Sequence, residues 1–217
     1  MDTPNRLIEL LEIEKPMFQV KSGTKEFPSS ERFFVEGAKH TTSFARACHV
    51  VSKEVLRYLA SIIKPNNITL ETGGGYSTVV FAVCSLKHIC VNPDITANEL
   101  IKGFLQKHGY ACEHLEFLED CSDKGLPKLK LEEKVDVALI DGNHSFPFPI
   151  IDWHYIDGFL GRGSKILIDD IHINSVKLVS DFLLSEPSYE YITTIGTCAA
   201  FEKINDTRVM GWAAQGI

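Results

Sequence analysis

Short apolar, β-branched runs alternate along this chain with stretches whose apolar positions recur every three or four residues, a pattern that predicts strands separated by helices. Such a rhythm builds a parallel sheet covered by helices. The spacing predicts a helix from Thr3, a cap ahead of Pro4, to about Lys15 through Leu7, Ile8, Leu11 and Ile13. It predicts a second from Thr42 to Lys64 through Phe44, Ala47, Val51, Val55, Leu59 and Ile62. Further helices are expected at about Ser77–Leu86, Thr96–His108, Ile150–Leu160 and Asn174–Ser185. Strands are expected at Ile68–Glu71, His88–Val91, His114–Leu118, Val135–Ile140 and Lys165–Ile168, the last entered through a turn at Gly161 and Gly163. Tyr189–Ile195 and Cys198–Lys203, split by Gly196, read as a closing antiparallel hairpin. The expected class is α/β, a doubly wound, mostly parallel sheet over residues 42–217. An N-terminal extension, residues 1–41, adds one helix and a loop rich in Gly, Ser and charge.

Composition narrows this picture. A chain of 217 residues suits one buried core rather than two. Hydrophobic residues make up 44% and charged ones 24%, and no apolar run approaches the roughly 18 residues of a membrane span, so a soluble protein without a membrane partner is expected. Acids stand among the first apolar residues, unlike a secretory signal, and the six cysteines are scattered without a CxxC pair, which suits reduced thiols in the cytoplasm. The net charge of −7 argues against a nucleic-acid partner. The one basic cluster, Lys124, Lys128, Lys130 and Lys134, is interleaved with Asp123, Glu132 and Glu133 and reads as a solvated face.

Ligands of open α/β sheets sit at the carboxyl ends of the strands, so the chemistry is sought there. The first strand ends in Glu71-Thr72-Gly73-Gly74-Gly75-Tyr76-Ser77-Thr78. Glycines in that turn let a ligand approach the backbone. A dinucleotide fingerprint would continue to a glycine where Thr78 stands, which counts against a nicotinamide cofactor. Strands four and five end in Asp141-Gly142-Asn143-His144 and Asp169-Asp170. Three carboxylates at one sheet edge repel each other unless protonated or bridged by a cation, and oxygen ligands suit Mg²⁺, with Mn²⁺ or Ca²⁺ as substitutes. Against this, neighbouring residues of an unbroken strand point to opposite faces, so Asp169 and Asp170 share an ion only where the strand has ended. His144 titrates near neutrality and is the candidate general base, with Asp141 beside it. His172 and His154 read equally well as a loop histidine and a packing histidine.

The acid-x-Gly-x-Gly run Glu71–Gly75 resembles the first motif of the class I S-adenosylmethionine-dependent methyltransferases, which have a Rossmann-like fold. The resemblance implies cofactor contacts from Glu71, Gly73, Gly75, Ser77 and Asp141. It also implies ribose contacts from Asn92 or Asp94 after strand two and an adenine edge at Asp120 and Ser122. Asn92 stands where the family usually has an acid, and Cys121 at a commonly acidic place. Asp141, Asp169 and Asp170 match the metal ligands of the catechol- and macrocin-type O-methyltransferases. Asn143 replaces the catalytic acid of the macrocin type, and His144 stands where the catechol type has a lysine. The run from IDGNHSFPFPIIDWHY to ILIDDIHI is most similar to methyltransferase family 24. The function this implies is methyl transfer to a small hydroxylated acceptor, a sugar or an aromatic diol. A non-catalytic binding module and a nicotinamide-dependent oxidoreductase are the alternatives. The loop around Phe33, Phe34, His40 and Thr41 is a candidate lid, and Trp212 in the tail a candidate homodimer contact.

Overall fold

The computed structural model describes residues 3–14 and 51–206. In chain order these form α1 (Thr3–Glu14), α2 (Lys53–Ile62), β1 (Ile68–Thr72), α3 (Tyr76–Cys84), β2 (Lys87–Val91), α4 (Ile95–Lys107) and β3 (Leu115–Leu118). A short α5 (Ser122–Gly125) and one 3₁₀ turn lead into β4 (Val135–Ile140), α6 (Phe148–Phe159), β5 (Leu160–Ile168), α7 (Asn174–Ser185), β6 (Tyr189–Ile195) and β7 (Cys198–Lys203). The seven strands make one sheet in the order β3-β2-β1-β4-β5-β7-β6. The first five run parallel, while β7 inserts antiparallel between β5 and β6. The Rossmann-like α/β architecture with its closing antiparallel hairpin is the one expected from the pattern.

Strand order reverses between β1 and β4, so their connections leave in opposite directions and a crevice opens at their carboxyl ends. Every residue of β1 is buried, as befits a central strand covered on both faces. One face packs under α1 to α4, with Leu7, Leu11, Val55, Leu59, Phe81 and Ile101 in a single cluster. The other packs under α6 and α7, where Ile156, Val176, Val179 and Leu183 meet Ile140, Ile166 and Ile168. The helix of the N-terminal extension thus shares the core of the sheet. Glu9 ties it to Lys53 and Arg57 of α2, and Glu14 to Lys107 and His108.

Two element boundaries differ from expectation. The helix expected to run unbroken from Thr42 starts at Lys53: Ser52 is extended, and its hydroxyl accepts from the Val55 amide as an N-cap, a signal the apolar period overran. The expected turn at Gly161 and Gly163 lies inside β5, which begins at Leu160. The pairing of β4 with β5 shifts register between Val135 and Val137, and Gly163, at φ +89°, gives the backbone freedom that this bulge needs. Residues 15–50 and 207–217, and with them the start at Thr42, the lid residues Phe33, Phe34, His40 and Thr41, and Trp212, lie outside the described residues. Among the described residues, no helix is long and apolar enough to cross a membrane.

Candidate active site

The glycine turn closes tightly against the end of β4. A Cβ on Gly73, whose φ is +84°, would stand 2.1 Å from the Asp141 carbonyl oxygen, so both conformation and space demand glycine. A Cβ on Gly74 would meet the Asn92 side-chain amide at 2.6 Å. Gly75 is different: a Cβ there would meet nothing within 4 Å, so its bare backbone faces the crevice at the N-terminus of α3. Ser77, in the first turn of that helix, is buried.

Glu71 does not line this open side. It is fully buried, where its Oε1 accepts from the Thr78 hydroxyl and lies 3.0 Å from Nε2 of His88, itself fully buried. The other oxygen, Oε2, has no hydrogen-bond partner. Thr78 also accepts the Gly75 amide at 2.9 Å, so the residue that breaks the dinucleotide pattern is the one that closes the turn. His88 was missed from sequence because it sits in an apolar strand. A usable signal was present nonetheless: Thr69 and Glu71, and His88 and Cys90, alternate on adjacent strands, so all four line one face.

At the end of β2, Asn92 donates to Asn98 at 2.8 Å and Asp94 caps α4, its Oδ1 accepting from the Ala97 amide at 3.0 Å. Asp94 is buried, and its Oδ2 has no hydrogen-bond partner. Asp120 pairs with Lys128 at 2.9 Å, and that hydrogen bond holds its carboxyl below the ordinary range. Ser122 is buried near a group that sequence reading overlooked, Asp152 of α6. Burial pushes the Asp152 carboxyl up to about 6, the nearby Ser122 and Thr72 hydroxyls offsetting only part of the effect. Neither of its oxygens completes a hydrogen bond, and the Thr72 hydroxyl also has none. Gly142 roofs this pair, since a Cβ on it would lie 3.1 Å from the Thr72 hydroxyl oxygen and 3.2 Å from Asp152 Oδ2.

The histidine and two of the three expected acids meet at the ends of β4 and β5. His144 Nε2 lies 3.4 Å from Asp141 Oδ1 and its Nδ1 lies 3.4 Å from Asp170 Oδ2. One ligand atom from each of these three residues falls within 4.8 Å of the others. Asp170 has φ +58°, a left-handed conformation that turns its side chain away from the course of the strand. Asp169 stays buried, with the Thr197 hydroxyl donating to it at 3.4 Å, and stands outside the three-residue group. His172 lies on the outer side of Asp170, 3.6 Å away and largely exposed, while His154 packs edge-on against Tyr155. Burial and the charges of Asp169 and Asp170 push Asp141 up to about 7, although the His144 imidazole 3.4 Å away pulls the other way. Burial opposes a charged His144, but the adjacent Asp141 carboxylate and the charges of Asp170 and Asp169 outweigh it, so the imidazole is raised.

A glycine turn at a 3-2-1-4-5-7-6 sheet, facing acids at the ends of β4 and β5, defines a class I S-adenosylmethionine-dependent methyltransferase. Residues 70–171, from β1 through the acids after β5, match the family model described as a methyltransferase domain. A candidate caffeoyl-CoA O-methyltransferase from Staphylococcus aureus is 14% identical with a TM-score of 0.62, over 93% of this chain and 99% of that one. A candidate methyltransferase from Streptococcus mutans, in complex with S-adenosylhomocysteine (SAH), is 13% identical with a TM-score of 0.54, over 71% of this chain and 100% of that one. An rRNA methylase from Streptococcus thermophilus is 17% identical with a TM-score of 0.55, over 72% and 99%. A comparison with curated proteins finds no match.

Proposed function

We propose that this methyltransferase transfers the methyl group to a hydroxyl of a small acceptor, a sugar or an aromatic diol. The observation that carries this reading is the abutment of Gly73 on the Asp141 carbonyl, which sets the glycine turn directly beside the Asp141–His144–Asp170 group. The bare Gly75 backbone suits the amino-acid end of the cofactor, and the unpartnered Asp94 Oδ2 suits a ribose hydroxyl. Asn92, Asp120, Ser122 and the remaining turn residues complete the proposed cofactor site.

The acceptor hydroxyl must lose a proton as its oxygen takes the methyl carbon and the sulfur keeps the electron pair of the broken S–C bond. His144 is the proposed base. With its proton on Nε2, on the side of Asp141, His144 would face the Asp170 carboxylate with the Nδ1 lone pair at 3.4 Å. Two acceptors at that distance need a proton or a cation between them. An acceptor hydroxyl supplies the first. A divalent ion would supply the second, lowering the pKa of a bound hydroxyl. Asp141, Asp170 and His144 fit such an ion, and the imidazole makes the set less specific for Mg²⁺ than carboxylates alone. Asp169 lies outside this group.

The test is SAH release with S-adenosylmethionine and a panel of catechols, sugars and RNA oligonucleotides, with and without EDTA. Turnover on small hydroxylated acceptors, lowered at least about 100-fold by His144→Ala, is expected. Turnover confined to RNA would replace the acceptor class. Cofactor binding with no turnover on any acceptor would favour a non-catalytic module. Full activity in EDTA would remove the ion.

A further inference from the structure

Behind the glycine turn lies a chain of polar side chains that has no exposed member at its centre. The Phe81 ring stacks on His88 at 4.7 Å, with the planes 9° apart, and the Thr69 hydroxyl lies 2.9 Å from His88 Nδ1. On the other side His88 Nε2 reaches Glu71 Oε1 at 3.0 Å. Thr78 donates to that same oxygen and accepts the Gly75 amide. The direction of each bond is forced. A backbone amide only donates and a carboxylate only accepts, so Thr78 must spend its proton on Glu71, and His88 must carry its proton on Nε2.

We propose that His88 is a positioning residue of the cofactor site. Clamped between Phe81 and Thr69, it fixes Glu71, which fixes Thr78, which fixes the Gly75 amide and so the shape of the turn that faces the cofactor. This rests on the S-adenosylmethionine reading of the turn. Glu71 carries one further unpartnered oxygen and has no solvent to hold it, so without His88 it would rotate and release Thr78. His88 itself is fully buried behind the turn.

Calorimetric titration of the purified full chain with SAH tests this, alongside hydrogen exchange at the Gly75 amide. His88→Leu, which keeps the apolar stack, is expected to weaken SAH about tenfold and to speed exchange at Gly75. His88→Gln, whose amide can donate to Glu71, is expected to restore both. A role in packing alone would lower the melting temperature of both variants and leave Gly75 exchange unchanged. Thr78→Val and Thr78→Ser probe the relay one step on, even if His88→Leu fails to fold: Val should weaken SAH to the same extent and Ser should not. Folded His88→Leu or Thr78→Val protein with wild-type affinity and wild-type Gly75 exchange would overturn the proposal. Wild-type protein that does not bind SAH would instead overturn the cofactor reading beneath it.

Discussion

Gly73 and Gly75 stand two residues apart in one turn under different constraints. Gly73→Ala would place a methyl group against the Asp141 carbonyl at a positive φ, and a loss of about 2–4 kcal/mol in urea unfolding is expected. Gly75→Val meets open space in a backbone any residue adopts, so its unfolding midpoint should stay near wild type while SAH binding is lost. A Gly75→Val protein that still binds SAH would place the cofactor elsewhere. Asp152 offers a second residue-level prediction. Its folded-state pKa of about 6 lies above the ordinary 3.8, so the folded protein holds this proton more tightly than the unfolded chain. The stability it contributes is complete below about pH 4 and is lost as pH rises through 6, a change of up to about 3 kcal/mol. Asp152→Asn should remove that slope, and a difference from wild type that stays constant between pH 4 and 7.5 would refute the assignment.

At the scale of elements, helix starts and strand ends carry both folding and function. Asp94 caps α4 with one oxygen and keeps the other unpartnered, so its two roles can be separated. Asp94→Ser should retain the cap and lose only SAH affinity. Asp94→Ala should lose the affinity and about 1 kcal/mol of stability as well. Equal SAH binding by Asp94→Ser and wild type would remove Asp94 from the cofactor site. The elements themselves were largely legible, because hydrophobic period is a local property and strands of a covered parallel sheet read as unbroken apolar runs. The misread boundaries have local causes too. Ser52 is a cap hidden inside an apolar period that continues past it, and Gly163 is a bulge residue that looks like a turn until β4 supplies its register.

For the whole molecule, the antiparallel β7 is held between β5 and β6 and also tied to the end of α6. Lys203 and Asp157, each 3% exposed, pair at 2.9 Å, and the lysine also donates to the Asp157 backbone carbonyl while the Tyr189 hydroxyl donates to the Asp157 carboxylate. Lys203→Met leaves a buried carboxylate without its cation and should cost about 3–5 kcal/mol. Adding Asp157→Asn should recover much of that loss, and denaturant unfolding of the four proteins in the cycle measures it. Additive losses would show that the pair is not coupled.

The order of amino acids alone determined the alternation of elements, the glycine turn and the presence of acids where strands end, since each depends on residues within a few positions of one another. Only the tertiary structure decided which way those acids face. Glu71 turns inward because His88 and Thr78, on two other elements, offer it partners. Asp170 swings toward His144, 26 positions earlier, because its backbone goes left-handed after β5, while Asp169 stays buried at the strand end, outside that group. Side-chain direction at a strand end is settled by neighbours that sequence distance hides, and the chemistry of this site depends on that direction.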